Sequence, residues 1–387
     1  MALAEHTPDD EPPVVPGPWG PAQLLVPLRP GGFGDVYVAR LDDDDGLVVL
    51  KRLKPSMALD VGDVLASVRR LQGRQLRGVV EVCGAGVFDG FGWVATGFIE
   101  GIDLQTWREQ GPRPGDDDAV ALAVGIAHGI LDGLEALHGA GLVHRDISPA
   151  NVVVGIDGAV TVVDVDLVVP VGTAATESIP GTPSYMSPEQ AQGLPVDGRA
   201  DLLGWGIVVT ELLTGESFYG DLGTDDVWRL ARTGGYRPAG FGRLPATLRA
   251  VLQRALAPDP VDRFAAVAAT RLALQEAWPL SADAIVRAAA VEQRAGRRLA
   301  GLRALLTKAR SGLQGLPSVA PLAVEQLRGA VELKDGYTDP LRRMPPARDA
   351  SASVIRPRSA QGLSAVVVVV LVLVALAAVL MMQGLLR

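Results

Sequence analysis

The sequence predicts an α+β protein with a β-rich small lobe, an α-helical large lobe and one C-terminal transmembrane helix. Short apolar runs separated by turn residues fill the first hundred or so residues after the leader, which is typical of strands. Longer runs with apolar residues at helical spacing follow, above all over 119–138 and 200–213. Near the C-terminus, residues 363–382 carry no charge. These three observations give the order of the predicted elements.

Composition limits what the chain can bind. Its 387 residues carry a formal net charge of −8, which argues against a general nucleic-acid binder because polyphosphate binding needs a cationic surface. Cys83 is the single cysteine, so the sequence offers no internal disulfide and no cysteine cluster for zinc or iron–sulfur. The four histidines are too scattered to suggest a metal site.

The N-terminal part contains a leader and the predicted small lobe. Residues 1–23 are rich in proline and predict a disordered leader, because such a segment has little apolar surface to bury. We expect the folded domain over 24–278. Beyond a glycine turn, DVYVAR and LVVLKRL are typical of two strands joined by a turn over 42–46. A helix over 61–76 and further short strands over 79–98 follow.

The C-terminal part predicts a membrane anchor. A juxtamembrane linker over 279–362 has amphipathic helical spacing at its start, over 281–310. Residues 363–382 would span a hydrocarbon core of roughly 30 Å at about 1.5 Å per helical residue. Several arginines precede the span and only Arg387 follows it, so the positive-inside rule places the N-terminal bulk in the cytoplasm. We therefore expect a single-pass protein of the cell (inner or plasma) membrane, with residues 383–387 as a short extracytoplasmic tail.

The first candidate for chemistry is the glycine turn between strands, RPGGFGDV. Gly31, Gly32 and Gly34 lack Cβ atoms, so backbone N–H groups there can approach phosphate oxygens. Lys51 ends VVLK on a later strand, and its ammonium could reach phosphates beneath the turn. Taken alone, an ordinary hairpin turn and a surface lysine explain these features equally well.

A sharper pattern lies at residues 144–151, HRDISPAN. Two short apolar runs follow and predict a hairpin that ends at Asp164. Asp146, the amide of Asn151 and the carboxylate of Asp164 can supply a general base and two Mg²⁺ ligands. The pattern therefore indicates chemistry on phosphates.

In this order, the motifs resemble the eukaryotic-like (Hanks-type) serine/threonine protein kinases of bacteria, specifically the membrane-anchored ones. The resemblance covers residues 24–278 and includes the glycine turn, Lys51, LHGAGLVHRDISPANVVV, Asp164 and GTPSYMSPEQ. It implies the bilobal protein-kinase-like fold, protein substrates, and ATP with Mg²⁺ or Mn²⁺ as cofactors.

The resemblance also implies a role for each matching residue. Asp146 would orient the substrate hydroxyl and accept its proton, and Lys51 would hold the α- and β-phosphates of ATP. Asn151 and Asp164 would bind the metal ion. The nucleotide-binding residues implied are Gly31, Gly32, Gly34, Val36, Lys51 and Asn151.

Regulatory and structural residues follow from the same resemblance. The loop after Asp164 contains three candidate phosphorylation sites: Thr173, Thr176 and Ser178. Arg145 would accept a phosphate on any of them, although merely polar loop residues are an equally good interpretation of each. Glu189 and Arg263 would form a structural ion pair in the large lobe.

Three departures from the family pattern concern the nucleotide. Arg29 stands where the family has its first loop glycine, and Ser148 replaces the usual catalytic-loop lysine. Val36 would cover the adenine, beside an interlobe hinge near residues 96–99. Val49 replaces the usual alanine above the adenine and adds two methyl groups to a tight slot. Nucleotide affinity is therefore expected to suffer.

Two further departures concern the aim of Lys51. Ser67 aligns with the family's helix glutamate, and Asp63, one turn earlier, is the acid that could substitute. Misplacement of about 1 Å can cost on the order of a hundredfold in rate. Asp166 replaces the glycine of the family's Asp-Phe-Gly motif, and in an extended segment it would share a face with Asp164. The hypothesis is that Asp166 adds a carboxylate near Mg²⁺; the alternative is a solvated loop aspartate.

Two functions remain open from the sequence. The first is a membrane-tethered serine/threonine protein kinase that transfers the ATP γ-phosphoryl group to protein hydroxyls. The alternative is a pseudokinase that keeps the fold and acts as a membrane-anchored scaffold. Small-molecule phosphotransfer is disfavoured by GTPSYMSPEQ, a loop that holds peptides in the family. The linker helix could pair protomers as a homodimer, or it could pack against the large lobe.

Overall fold

The computed structural model of the chain describes residues 14–28, 34–41, 46–54, 60–110, 117–174 and 179–279. The predicted linker helix over 281–310 and the predicted transmembrane span over 363–382 lie outside the described residues. Within the described part, a β-rich lobe precedes a helical lobe, which confirms the predicted α+β order.

The small lobe is built on a six-stranded sheet whose neighbouring strands are all antiparallel. Its strands are β1 (Val14–Gly17), β2 (Gly20–Pro27), β3 (Gly34–Leu41), β4 (Leu47–Leu53), β5 (Val82–Phe88) and β6 (Phe91–Gly97). They lie in the order β1-β2-β3-β4-β6-β5. Valines at alternating positions favour this arrangement, because branched side chains pack well on a pleated surface.

The predicted disordered leader is wrong for residues 14–23, which form β1 and the start of β2. Trp19, in the turn between these strands, is 8% exposed, and its ring packs on β5. Gly84 of β5 leaves room for it, since a Cβ there would lie 3.1 Å from the ring. Pro16 is tolerated because β1 is an edge strand, where a missing N–H costs no ladder hydrogen bond.

The helix of the small lobe, α1, covers Val61–Arg69 and is shorter than the predicted 61–76. Asp60 caps its start by accepting a hydrogen bond from the backbone N–H of Asp63 at 3.1 Å. The chain turns after Arg70, and Gly73 adopts a φ of +73°, which does not continue a right-handed helix. The apolar face of α1 is buried beneath the sheet.

The large lobe is helical. Its helices are α2 (Leu104–Gln110), α3 (Asp117–Gly139), α4 (Pro188–Ala191), α5 (Gly198–Thr214), α6 (Thr224–Thr233), α7 (Ala246–Ala255) and α8 (Val267–Ala277). Trp205 of α5 is fully buried and donates a hydrogen bond to the carbonyl of Ala127 in α3 at 3.0 Å. Among the described residues, one stretch is long and apolar enough to cross a membrane, Val120–Gly139, and it lies in α3 at the core of this lobe.

Short strands at the top of the large lobe carry the loops that matter for chemistry. They are β7 (Gly101–Asp103), β8 (Leu142–Val143), β9 (Val152–Gly155), β10 (Val160–Val162) and β11 (Val169–Pro170). The antiparallel hairpin of β9 and β10 is the one predicted from the sequence, and it ends just before Asp164. A single 3₁₀ turn, Val165–Leu167, then follows.

Candidate active site

One face of the small-lobe sheet carries the side chains that the sequence assigns to a nucleotide. Val36 lies opposite Lys51, and Val49 lies opposite Thr96, in the registers of β3–β4 and β4–β6. Side chains opposite each other or two residues apart point to the same face of a sheet, so all four share one face. Val36, Val49 and Thr96 are half-buried, as expected for the wall of an open cleft.

The glycine turn is represented by Gly34, because Gly31 and Gly32 lie outside the described residues. A Cβ at Gly34 would lie 2.6 Å from the backbone oxygen of Arg52, so this position accepts only glycine without a backbone shift. The next residue, Asp35, is buried and pairs with Arg52 at 2.8 Å and with Lys54 at 2.6 Å. These ion pairs tie the end of the turn to β4.

Lys51 is buried and lies between two carboxylates. Its ammonium donates hydrogen bonds to both oxygens of Asp164, at 2.9 and 2.8 Å, and it contacts Asp166 Oδ2 at 2.7 Å. Burial alone would lower the pKa of Lys51, but the charges of Asp164 and Asp166 outweigh it and raise that pKa. Lys51 therefore stays protonated.

The backbone after β10 brings both aspartates to Lys51. Asp164 adopts a left-handed conformation, with φ 58° and ψ 70°, and the 3₁₀ turn follows directly. The expectation of an extended segment with both carboxylates on one face is therefore wrong, although the two carboxylates do meet at one ammonium. The alternative of a solvated loop aspartate is also wrong, because Asp166 is 4% exposed.

The two carboxylates differ in pKa. Burial would raise the pKa of Asp164, but the neighbouring Lys51 charge more than compensates and lowers it. Burial raises the pKa of Asp166 to about 6, with the charge of Asp164 adding to the effect and Lys51 opposing it. Asp164 is thus the better-stabilised anion.

The helix position expected to supply a carboxylate does not do so. Ser67 is half-buried on α1 and carries a hydroxyl, and Asp63 lies on the exposed side of the helix. The apolar residues Val64, Leu65 and Val68 pack in one cluster with Val165, the residue between the two aspartates. Helix α1 and the aspartate loop are therefore joined by apolar packing.

Asp146 is held by three hydrogen bonds from two directions. The Asn151 amide donates to the Asp146 carbonyl at 2.9 Å and to its Oδ2 at 2.7 Å. The backbone N–H of Thr182 donates to Asp146 Oδ1 at 3.1 Å. Burial, and then the charge of Asp164, raise the pKa of Asp146. These hydrogen bonds hold the Asp146 carboxylate in one orientation. Its raised pKa favours the acceptance of a proton.

Asp201 of α5 organises the loop around Asp146 and was not identified from the sequence. Its carboxylate accepts hydrogen bonds from the backbone N–H groups of His144 at 2.9 Å and Arg145 at 2.8 Å, and it contacts His138 at 2.8 Å. Burial opposes its ionisation, but the hydrogen bond from His138 and the nearby backbone donors lower its pKa. An acid within a largely apolar helix was the available signal.

Comparison with known proteins identifies this arrangement. The protein kinase domain family matches residues 25–277. The chain belongs to the protein kinase family. A probable serine/threonine-protein kinase of Clostridium perfringens, CPE1738, is 30% identical over 251 residues, which are 62% of this chain and 36% of that protein. Serine/threonine-protein kinase PknD of Mycobacterium tuberculosis is 31% identical over 286 residues, 70% of this chain and 42% of that protein.

A solved structure agrees with the kinase fold. The crystal structure of the Mycobacterium tuberculosis PknI kinase domain has 28% sequence identity and a TM-score of 0.54, and the match covers 66% of this chain and 96% of that chain. Against the two curated relatives above, this chain spans 36% and 42% of their lengths. The similarity to them thus concerns the kinase domain.

The residues of this kinase domain fit the divalent cation that the family implies. Asp164 offers a carboxylate that is 32% exposed. The Asn151 nitrogen is engaged by Asp146, so the other atom of its amide is an oxygen that a cation can use. No cluster of three His, Cys, Asp or Glu side chains forms a metal site in the described part of the chain. A carboxylate and an amide oxygen suit a divalent cation such as Mg²⁺, which usually takes one or two protein oxygens together with phosphates and water.

The loop that follows in the kinase domain contains one described phosphorylation candidate. The Thr173 hydroxyl donates to the carbonyl of Pro170 at 2.7 Å, while Thr176 and Ser178 lie outside the described residues. The guanidinium of Arg145 donates through Nε to the carbonyl of Leu167 at 2.7 Å. Arg145 therefore lies against the start of the loop that contains the candidates.

The predicted structural partners of the kinase domain are in contact. Arg263 donates to Glu189 through two parallel bonds of 2.6 and 2.8 Å, and both side chains are buried. The neighbouring Gln190 was not predicted to matter, yet its amide donates to the carbonyl of Arg145 at 2.6 Å. Helix α4 thus links the large-lobe core to the loop of Asp146.

Proposed function

We propose that this chain is an ATP-dependent serine/threonine protein kinase that transfers the γ-phosphoryl group to protein hydroxyls. One observation carries the proposal: Lys51 and Asp164 meet at 2.8 Å, and Asn151 holds Asp146 beside them. Phosphoryl transfer needs positioning and charge neutralisation more than covalent work from the protein, and these groups supply both. Relatives named as serine/threonine kinases support the same assignment.

Each residue of the site has its own role in phosphoryl transfer. Asp146 accepts a hydrogen bond from the attacking hydroxyl and then its proton, and its raised pKa assists that acceptance. The Lys51 ammonium neutralises phosphate charge. Asp164 and Asn151 would hold the divalent cation, Mg²⁺ or Mn²⁺, which would neutralise charge on the phosphate oxygens. The alignment of Asp146 depends on Asn151 and on the backbone of Thr182.

The segment around Thr182 is suited to a protein substrate. It continues into a 3₁₀ turn, Pro183–Tyr185, that lies beside the Asp146 carboxylate. The Tyr185 hydroxyl donates to the buried carboxylate of Glu211 at 3.0 Å, and Arg108 contacts the same carboxylate at 2.6 Å. A segment anchored in this way can hold an extended peptide so that its hydroxyl faces Asp146.

The proposal extends to a membrane anchor and to a homodimer. Residues 363–382 would form a single transmembrane helix with the kinase domain in the cytoplasm, because the arginines lie on its N-terminal side. Pairing through the linker would raise the effective concentration of one kinase domain near another. Alkaline carbonate extraction of membranes from cells expressing the full chain, compared with a chain lacking 363–387, tests the anchor. Release of both chains into the soluble fraction would refute it.

The activity test uses the full-length chain in detergent with ATP labelled at the γ-phosphate and either Mg²⁺ or Mn²⁺. We expect label on the chain or on a protein substrate, and a loss of about a hundredfold or more in Asp146→Asn and in Lys51→Met. Asp63→Asn is the matched control, since Asp63 is exposed. Mass spectrometry would then assign label to Thr173, Thr176 or Ser178.

The pseudokinase scaffold makes the opposite prediction. If the chain is a pseudokinase, we expect nucleotide to raise its unfolding temperature in a thermal-shift assay. We then expect only background label, at the same level in the wild type and in every variant. The pairing of Lys51 with Asp166 favours the kinase, because the lysine keeps a carboxylate partner although Ser67 replaces the glutamate. Absence of transfer with both metals would refute the kinase proposal.

A further inference from the structure

Besides Asp164, Lys51 contacts a second carboxylate, that of Asp166, and this contact directs the lysine side chain. In this chain the partner comes from the loop after β10, two residues beyond Asp164, and α1 presents Ser67 where the family pattern has an acid. The contact between Lys51 Nζ and Asp166 Oδ2 measures 2.7 Å.

The exposure of the two aspartates separates their roles. The side chain of Asp164 is 32% exposed, whereas that of Asp166 is 3% exposed. A hydrated cation that binds from the cleft therefore meets Asp164 first. Asp166 lies behind it, and its Oδ2 pairs with the Lys51 ammonium at 2.7 Å.

Local structure fixes Asp166 in place. The left-handed φ of Asp164 and the 3₁₀ turn Val165–Leu167 direct the Asp166 side chain back toward β4. Val165 is 1% exposed and packs in the same cluster as Val68 of α1. A short turn with a buried anchor leaves the Asp166 carboxylate little freedom.

We propose that Asp166 is the positioning residue for Lys51, performing from the loop the task that a helix glutamate performs in the family pattern, and that it is not a metal ligand. The inference rests on the proposed kinase function. It differs from the sequence hypothesis, which placed the Asp166 carboxylate near Mg²⁺. With Asp164 engaged by a cation, Asp166 remains as the partner that keeps Lys51 directed into the cleft.

A consequence concerns α1. Its link to the site is the apolar cluster, so a small displacement of the helix would not break an ion pair to Lys51. The aim of Lys51 then depends on the loop that also carries Asp164. The 3₁₀ turn that follows Asp164 therefore positions the metal ligand Asp164 and, through Asp166, also Lys51.

The first experiment separates positioning from metal binding in the full-length chain. Mn²⁺ binding in the presence of a non-hydrolysable ATP analogue is measured by electron paramagnetic resonance for the wild type, Asp166→Asn and Asp164→Asn, with Asp63→Asn as control. We expect Asp166→Asn to bind Mn²⁺ nearly as tightly as the wild type, and Asp164→Asn to bind it much more weakly, because that variant removes a carboxylate ligand. Equal losses in the two variants would make Asp166 a metal ligand and overturn the proposal.

The second experiment tests positioning through the kinetics and a rescue. Asp166→Asn should lower kcat by about a hundredfold while the KM for ATP changes less, because a misplaced lysine loses alignment in the transition state. Adding Ser67→Glu should recover at least about tenfold of that loss, whereas Ser67→Ala should recover none. An unchanged kcat in Asp166→Asn, or no gain from Ser67→Glu, would refute the assigned role. If the wild type transfers no phosphate, the kinase proposal fails, and the Mn²⁺ comparison still decides whether Asp166 binds metal.

Discussion

The buried pair of Glu189 and Arg263 gives the sharpest stability prediction. Arg263 is 2% exposed and donates to both Glu189 oxygens and to three backbone carbonyls, those of Ala257, Pro258 and Arg199. Breaking a buried pair by removing one charge leaves the other uncompensated and costs about 3 to 5 kcal/mol. Glu189→Gln keeps one acceptor oxygen, so we expect the lower end, about 3 kcal/mol.

The assay is thermal unfolding of the full-length chain in detergent, followed by tryptophan fluorescence. A loss of about 3 kcal/mol corresponds to a fall of roughly 6 to 12 °C in the unfolding midpoint of a domain of this size. Arg263→Met should cost more than Glu189→Gln, because it also leaves the carbonyls without their donor. The double variant should lose less than the sum of the single losses, since the two residues share one interaction.

An exposed pair in the same lobe provides the matched control. Glu216 and Arg243 are in contact, but their side chains are 42% and 68% exposed. Surface pairs contribute about 0 to 1 kcal/mol, so Glu216→Gln should leave the unfolding midpoint within about 4 °C. Equal shifts for Glu189→Gln and Glu216→Gln would refute the argument from burial.

Three further predictions follow from the small lobe and the catalytic loop. Trp19→Ala should destabilise the small lobe by about 3 to 5 kcal/mol in the same unfolding assay, and a change below about 1 kcal/mol would contradict its packing role. Gly34→Ala should raise the KM for ATP about tenfold, because its Cβ would meet the Arg52 oxygen at 2.6 Å. Gly139→Ala is the control, since a Cβ there would meet nothing within 4 Å and the residue has no positive φ, and equal KM values would contradict this. The pKa of Asp201 is lower in the folded protein than its unfolded pKa of about 3.9, so the ionised carboxylate stabilises the fold above that unfolded pKa. This stability is lost as the pH falls through the folded pKa. Asp201→Asn should therefore flatten the pH dependence of the unfolding free energy between about pH 5 and 3. Parallel pH profiles of unfolding for the wild type and Asp201→Asn would contradict this prediction.

The chemistry-bearing residues were predictable because they lie in short motifs. Asp146 and Asn151 are five residues apart in HRDISPAN, and their contact follows from the local turn. Lys51 and Asp164 are 113 residues apart, and the resemblance to a family assigned one to the phosphates and the other to the metal ion, whereas their direct contact emerged only from the structure.

The rest depended on tertiary structure. Asp166 was judged on the assumption of an extended segment, but a left-handed residue and a 3₁₀ turn changed the direction of its side chain. Asp201 lies in an apolar helix whose periodicity shows burial and does not show which backbone N–H groups the carboxylate meets. β1 was missed because its prolines suggested disorder, although Val15 and Trp19 are buried and Trp19 packs on Gly84 of β5.

The hairpin of β1 and β2 also protects the edges of the small-lobe sheet. An exposed edge strand presents unpaired N–H and C=O groups to which another chain can add, which is a common route to aggregation. Here β1 ends the sheet with Pro16 and contacts β5, the strand at the opposite end. A chain that starts at residue 25, where the family match begins, would lack β1 and the first part of β2. Both edges of the sheet would then be exposed. The residues from Val14 to Gln23 therefore end the sheet on one side with a short strand that contains proline, and they contact the strand at its other end.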